Sequence, residues 1–167
     1  MHVAAIGKIK GSSAYLADGL AEYEKRLRRY CQLSWMELEE ETVRPSRTEA
    51  QVKEAEGRRL LACMERAAYR VVLSEHGRCY DSETFSNELL RRHPAVNPSN
   101  GGRPVGGPPT MLWVIGGPLG LAEPVLQRAD WVVSLSAMTF PHQVVRLMLV
   151  EQLYRSFRIL NGEPYHK

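Results

Sequence analysis

Short apolar runs alternate along this chain with longer stretches of helical periodicity. The runs have the length of strands buried on both faces, and the longer stretches repeat apolar residues at intervals of three and four. The predicted strands are residues 3–9, 31–38, 69–73, 111–115 and 131–136, and the predicted helices are residues 16–30, 48–68, 82–90, 121–130 and 143–160. Parallel strands need long crossovers and are apolar on both faces, so the pattern predicts an α/β protein with a parallel sheet.

Polar and glycine residues mark where these elements begin and end. Oxygen-bearing side chains suited to helix N-caps precede three of the helices. They are Ser12 or Ser13, Thr48, and Asp81 or Ser82. The third predicted strand breaks at the Ser-Glu-His-Gly run of residues 74–77, which places Leu73 at the lip of a loop.

Two loops leave the carboxyl ends of the last two predicted strands, where open α/β sheets bind ligands. The first loop contains Gly116, Gly117 and Gly120, and a ligand can approach a backbone that has no Cβ. It matches neither G-x-G-x-x-G nor the P-loop pattern, so neither dinucleotide nor P-loop chemistry is indicated. A tight strand-to-helix turn without a ligand explains these glycines equally well.

The last predicted helix is apolar nearly all round. Such a helix must be covered on more than one side. A second subunit is the economical source of cover, and it predicts a homodimer with an isologous contact through the C-terminal helix. The alternative is that the helix packs between the sheet and another helix of its own chain.

Composition agrees with a single domain spanning residues 1–167. No apolar run approaches the roughly 18 residues of a membrane helix, and the N-terminus does not resemble a secretion signal. Cys31, Cys63 and Cys79 are far apart and in no metal-ligand spacing, which is typical of reduced thiols in a cytoplasmic protein. Residues 94–109 hold five prolines and four glycines and are predicted to form a flexible surface loop inserted in the domain.

The formal net charge of +3 permits nucleic-acid binding without requiring it. Four cations gather near the end of the first predicted helix: Lys25, Arg26, Arg28 and Arg29. Cations suit a helix C-terminus and solvent, which is one interpretation. The other is a patch that contacts the phosphates of an RNA.

Three stretches together carry a resemblance to a known family. They read V-I-G-G-P-x-G-L at 114–121, L-S-x-M-T-F-P-H at 135–142 and V-R-x-x-L-x-E-Q-L-Y-R at 145–155, and the chain ends in P-Y-H-K. The combination closely resembles the RlmH family, SPOUT-class methyltransferases of bacterial large-subunit ribosomal RNA. The resemblance extends over most of the chain, including Gly7-Lys8, Glu22-Tyr23 and the strand that ends at Leu73.

That resemblance implies a SPOUT-type α/β fold with a C-terminal trefoil knot, acting as a homodimer. It implies S-adenosylmethionine as cofactor and, as the methylated atom, N3 of a pseudouridine in the 23S RNA of the assembled ribosome. The cofactor contacts that carry over are Leu73, Gly116, Leu135, Ser136, Ala137, Met138, Thr139 and Phe140. Apolar side chains in this set can cover the faces of adenine while backbone groups meet its edge.

The sulfonium makes the methyl group electrophilic, so no metal is needed and catalysis is mainly positioning. A proton must still leave N3, and the candidate acceptors are His142 and His166. His166 can be supplied by the partner subunit, or it can belong to a frayed terminus. His142 can alternatively cap the last helix. Arg155 can hold a phosphate or the target base, or pair with Glu151. Tyr165 can stack on a base.

The chain departs from the common family pattern in two respects. The 94–109 loop is longer than usual, and Leu119 and Ser74 stand where many members carry acidic residues. Two other functions stay open from the residues alone. One is a different nucleotide-binding α/β protein that uses the glycine turn for phosphate. The other is a non-catalytic dimer that binds RNA or ribosomes.

Overall fold

The computed structural model describes residues 1–92 and 111–165. The strands are β1 (His2–Ile6), β2 (Ser34–Leu38), β3 (Arg70–Cys79), β4 (Leu112–Ile115) and β5 (Trp131–Ser134). The helices are α1 (Leu16–Leu27), α2 (Glu49–Met64), α3 (Ser82–Arg92), α4 (Glu123–Gln127) and α5 (His142–Leu160), with a 3-10 turn at Gly11–Ser13. The strands form one sheet in the order β2-β1-β4-β3-β5, and every neighbouring pair is parallel. The predicted parallel α/β sheet is confirmed.

Apolar side chains on both faces of the sheet build two separate cores. On one face, Val3, Trp113 and Val133 pack with α1, α3 and α5. On the other face, residues such as Ala4 and Val114 pack with α2 and α4. All four residues of β4 are at most 2% exposed. Burial on both faces explains why the strands read as continuous apolar runs rather than as alternating patterns.

Several predicted boundaries shift in the structure. β1 ends at Ile6 because Gly7 adopts a φ of +82°. The prediction that Ser12 or Ser13 caps α1 is wrong, since the helix begins at Leu16 and the Ser13 hydroxyl instead donates to the carbonyl oxygen of Lys10 at 2.9 Å. β2 and α4 are both shorter than predicted.

The predicted caps of α2 and α3 are confirmed. The Thr48 hydroxyl accepts a hydrogen bond from the Gln51 N–H at 3.3 Å, which closes a capping box. The Asp81 carboxylate accepts one from the Thr84 N–H at 2.7 Å. These bonds satisfy N–H groups that have no partner inside a helix.

The predicted break after Leu73 is wrong, because β3 continues to Cys79. Its pairing with β5 is interrupted between Leu73 and Arg78 and then resumes, with Arg78 opposite Val133. Gly77 passes so close to β5 that a Cβ there would lie 2.4 Å from the backbone carbon of Val133. Residues 74–77 therefore form an irregularity within a strand, and the glycine is required by a close approach of two backbones.

Gly77→Ala is expected to lower the free energy of unfolding by about 3 kcal/mol, because the new methyl group meets backbone that cannot move aside. Gly19→Ala is the matched control: its Cβ would contact the flexible Leu147 side chain at 3.3 Å, and alanine favours a helix by about 1 kcal/mol. Urea unfolding at one fixed chain concentration compares the two. Equal stability of both variants would contradict the close approach.

α5 is covered largely by its own chain. Its buried residues include Leu149, Leu153 and Phe157, and it packs against α1 and α3. The interpretation that this helix lies between the sheet and other helices of one chain is supported. Val144, Leu147 and Met148 stay half-buried. The homodimer and the trefoil knot remain predictions, and the predicted loop at 94–109 lies outside the described residues.

Candidate functional site

A cleft of about 330 Å³ lies at the carboxyl ends of β3, β4 and β5. That volume is at the low end of the roughly 300–1,000 Å³ typical of small-molecule sites. The walls come from four short segments of the chain: residues 73–76, 115–121, 133–136 and 138–142. The cleft occupies the edge at which parallel α/β sheets bind ligands.

The segment that follows β5 crosses the top of this edge. β5 is at one end of the sheet, whereas α5 begins above β1, three strands away. The guanidinium of Arg146 in α5 donates to the carbonyl oxygens of Ile6 at 2.8 Å and Gly7 at 2.6 Å. Residues 135–141 therefore span roughly 14 Å of sheet, at about 4.8 Å per strand. They form the roof of the cleft.

Most of the predicted cofactor residues meet in this cleft. Those that line it are Leu73, Gly116, Leu135, Ser136, Met138, Thr139 and Phe140. Ala137 belongs to the same loop and is exposed, but its side chain is not part of the lining. Residues distant in sequence are thus brought together as the motifs predict.

Two serines brace the roof. The Ser134 hydroxyl donates to the carbonyl oxygen of Ser136 at 2.7 Å, and the Ser136 hydroxyl accepts from the N–H of Met138 at 3.0 Å. Met138 is 70% exposed and Phe140 is 38% exposed, which is unusual for large apolar side chains. Within the described chain the N–H groups of Ala137 and Phe140 have no hydrogen-bond partner. The roof thus offers apolar surface and backbone donors together.

The glycine turn has a packing reason of its own. A Cβ at Gly116 would lie 2.9 Å from the Leu121 side chain, and one at Gly117 would lie 2.8 Å from Oε2 of Glu56. Both glycines let the turn fold tightly against neighbouring side chains. The predicted reason, access of a ligand to bare backbone, is therefore not needed to explain them, although Gly116 still lines the cleft.

His142 stands at the inner end of the roof, as the first residue of α5. Its side chain is 11% exposed, and Nε2 lies 3.9 Å from Oε2 of Glu40 without a hydrogen bond to any described residue. Burial lowers the pKa of the imidazole below its usual value, Glu40 opposes this and Arg146 reinforces it. The alternative that His142 caps the helix is wrong, because Pro141 is the N-cap and no side chain caps it.

Arg146 lies one turn further along α5 and is 1% exposed. Besides the two carbonyl oxygens at the end of β1, it donates to Oε1 of Glu37 on β2 at 2.8 Å. A buried charge persists only when it is paired and hydrogen-bonded. This side chain thus fixes β1, β2 and the start of α5 relative to one another, beneath His142.

The other predicted catalytic residues lie elsewhere in this chain. Arg155 pairs with Glu151 at 2.6 Å, as one of the two interpretations predicts. The Tyr165 ring lies 4.9 Å from the Arg155 guanidinium and edge-on to Tyr154 at 5.0 Å. At 1.5 Å per residue, Arg155 is about 20 Å along α5 from His142. His166 lies outside the described residues. The structure therefore does not bring His142, Arg155 and Tyr165 together within one chain.

Sequence reasoning missed Glu37, Glu40 and Arg146. The two glutamates belong to an acidic run that has the composition of a solvated edge. Arg146 interrupts an otherwise apolar stretch of α5, and a lone charge in such a stretch is the one signal that could have revealed a buried ion pair. Lys53, Glu75 and His76 also line the cleft without having been singled out.

The rest of the acidic run borders a larger, polar depression of about 610 Å³ beside α2. Its walls are charged side chains that pair with one another, with Glu41 accepting from both Arg47 and Arg59. Glu40 also lines this depression, which contains none of the predicted site residues. Among residues 1–92 and 111–165, no three histidine, cysteine or acidic side chains are grouped for a metal, and no helix has the length and hydropathy to cross a membrane.

Comparison with known proteins agrees with the geometry of the cleft. The family model described as "Predicted SPOUT methyltransferase" matches residues 1–166. A protein named ribosomal RNA large subunit methyltransferase H from Acetivibrio thermocellus is 43% identical over 168 residues, covering 99% of this chain and 98% of that protein. The protein of the same name from Enterococcus faecalis is 40% identical, covering 97% and 96%. This chain belongs to the RlmH family of SPOUT methyltransferases.

The fold of this RlmH-family chain also has a solved counterpart at low identity. A probable methylase family protein from Haemophilus influenzae Rd KW20 aligns with a TM-score of 0.52 at 9% identity, covering 99% of this chain and 70% of that one. That likeness concerns the fold alone. In the RlmH-family chain, the motif at 114–121 supplies the glycine turn of the cleft and the motif at 135–142 supplies its roof.

Proposed function

We propose that this protein uses S-adenosylmethionine to methylate N3 of a pseudouridine in 23S ribosomal RNA. The observation that carries the proposal is the convergence of the glycine turn, the roof and His142 on one cleft in an RlmH-family chain. Full-length relatives bear a name that specifies large-subunit ribosomal RNA. Action on ribosomal RNA would place the protein in the cytoplasm.

The cleft fits an adenosine-containing ligand. Leu73, Leu135 and the exposed Met138 and Phe140 can cover the faces of adenine, and the unpaired N–H groups of the roof can meet its edge. Ser74 and Glu75 provide polar groups at the opposite wall, where β3 is irregular. When bound, S-adenosylmethionine supplies a methyl carbon made electrophilic by the attached sulfonium.

The chain's own residues orient the reacting groups and accept a proton. With the cofactor bound, N3 would take the methyl group from the sulfonium, and Nε2 of His142 would accept the N3–H proton. His142 is suited to accept it because Nε2 has no hydrogen-bond partner in the described chain and burial lowers the pKa of the imidazole, which favours its neutral form. The roof excludes water from one side of the reacting centre.

A second copy of the chain would complete this site. Arg155 lies about 20 Å along α5 from His142, and the Tyr165 ring lies beside Arg155, so both are too far from His142 to reach the same base within one chain. The half-buried apolar residues Val144, Leu147 and Met148 offer an interface beside the cleft. An isologous dimer through α5 would bring the C-terminal segment of the partner subunit toward each cleft. The ribosome is the proposed form of the RNA substrate.

Incubation with unmethylated ribosomes and labelled S-adenosylmethionine tests this function. Label should enter one pseudouridine of 23S RNA, identified by mapping the nucleotide, and parallel reactions with subunits and naked RNA define the substrate. Calorimetry should show binding of S-adenosylmethionine and no binding of a phosphate-bearing nucleotide. Binding of cofactor and ribosome without methyl transfer would support a non-catalytic dimer that binds RNA or ribosomes. Tighter binding of the phosphate-bearing nucleotide would support a different nucleotide-binding α/β protein.

The cations at the end of α1 are expected to contact RNA phosphates. Arg26 and Arg29 form exposed ion pairs, whereas Lys25 and Arg28 have no acidic partner within 4.0 Å among the described residues. Charge reversal at Lys25 and Arg28 should weaken ribosome binding and reduce the slope of log affinity against log salt by about 1–2. Charge reversal at the exposed Arg66 and Arg128 should leave the ribosome affinity and the salt slope unchanged.

Filter binding across a range of salt concentrations measures this effect. Retention of cofactor affinity in the Lys25/Arg28 variant would show that the fold is intact. Equal weakening by both pairs of substitutions would mean that net charge alone matters, and no weakening by either would favour the interpretation that the α1 cations are solvated.

A further inference from the structure

Three groups from three different elements meet above the carboxyl end of β1. Gly7 ends that strand, Glu40 follows β2 and His142 opens α5. A Cβ at Gly7 would lie 2.7 Å from Oε2 of Glu40 and 3.3 Å from Nε2 of His142. The φ of +82° at Gly7 also favours glycine. The two side chains therefore occupy the space that any other residue at position 7 would fill.

Glu40 is the carboxylate that faces the imidazole. Its Oε2 lies 3.9 Å from Nε2 of His142, within ion-pair range and longer than a hydrogen bond. In the described part of the chain no other carboxylate lies within 4.0 Å of this imidazole. His142 lines the cleft and is 11% exposed, whereas Glu40 lines the polar depression beside α2 and is 40% exposed.

The surrounding charges are held by other partners. Arg146, one turn along α5, is bound by Glu37 and by the carbonyl oxygens of Ile6 and Gly7. These bonds fix the end of β1 relative to the start of α5, and they thereby fix the position of the His142 imidazole. The other charged or titratable side chains that line the cleft are Lys53, Glu75 and His76. Glu40 therefore remains the local counter-charge for a protonated His142.

We propose that Glu40 is a positioning residue for His142, acting as the counter-charge that stabilises the imidazolium formed when Nε2 takes the N3 proton. This inference rests on the proposed function. An imidazolium formed in a buried site is costly without a counter-charge. While Nε2 is unprotonated it cannot hydrogen-bond to the carboxylate, but once it carries the proton it lies 3.9 Å from Oε2 of Glu40, within ion-pair range.

Glu40→Gln tests the role because it removes the charge and keeps the shape. Glu39→Gln is the matched control: Glu39 is the preceding carboxylate, 83% exposed and 3.9 Å from Arg59. Imidazole NMR titration of the cofactor-free protein, with the His142 signal assigned by His142→Asn, should show a lower pKa of His142 in Glu40→Gln only. kcat should fall on the order of ten-fold, part of the 10²–10⁴ that a general base contributes, with the KM for S-adenosylmethionine unchanged.

Glu40→Asp should recover part of kcat because it keeps the charge. A pKa of His142 that stays the same in Glu40→Gln would overturn the inference, and so would a loss of kcat equal to that of Glu39→Gln. If the wild-type protein transferred no methyl group at all, the proposed function would fail. The NMR titration would still decide whether Glu40 acts on His142.

Discussion

His142→Asn is expected to lower kcat for methyl transfer by about 10²- to 10⁴-fold, the contribution of a general base. Asparagine keeps a polar side chain at the start of α5 but cannot accept the N3 proton. The affinity for S-adenosylmethionine, measured by calorimetry, should change little because the apolar walls and the roof remain. Single-turnover transfer to unmethylated ribosomes is the assay for kcat.

The matched control is His76→Asn, because His76 lines the same cleft but its side chain is 79% exposed. It should retain nearly full activity.

The wild-type kcat should fall as the pH drops through the pKa of His142, since only the neutral imidazole accepts a proton. Burial lowers that pKa, so the fall should occur below the usual histidine value of about 6.5. Full activity of His142→Asn would exclude this residue as the proton acceptor.

Arg146→Met should lower the free energy of unfolding by about 3–5 kcal/mol, the usual effect of removing one partner from a buried ion pair. The substitution preserves bulk but leaves Glu37 and the carbonyl oxygens of Ile6 and Gly7 without their donor. The stability of Arg146→Lys should lie between those of the wild-type protein and Arg146→Met, because an ammonium group cannot reach three acceptors in the geometry of a guanidinium. Urea unfolding at a fixed chain concentration measures the difference.

Arg58→Met is the control for Arg146→Met. Arg58 also pairs with a glutamate, Glu54, at 2.6 Å, but both side chains are more than 60% exposed. Loss of an exposed pair should cost less than about 0.5 kcal/mol. Similar effects at the two positions would show that the network under His142 does not hold β1 to α5.

Local sequence determined much of what could be predicted. Strands buried on both faces read as apolar runs, and helices begin after Thr48 and Asp81 because these side chains bond to the first turn. The candidate cleft followed from the rule that loops at the carboxyl ends of parallel strands meet, together with the family motifs. Seven of the eight predicted cofactor residues line it.

The features that escaped prediction depend on contacts between distant segments. β3 continues to Cys79 because β5 offers partners again after the irregularity, which the polar run at 74–77 does not reveal. Gly116 is required by Leu121 and Gly77 by the backbone of Val133. Glu40 gains a role only because α5 begins above β1. Sequence shows which residues are polar, whereas the fold decides which of them face a cleft.

The roof has a contour length greater than the distance it spans. The peptide from Ser134 to His142 contains eight residue steps, about 26 Å when extended at 3.3 Å each. The stretch of sheet beneath it is roughly half as wide, about 14 Å. Because the peptide is longer than the distance it spans, the roof can change its conformation without displacing β5 or α5. An adaptable segment and the fixed position of His142 are thereby combined in one short peptide.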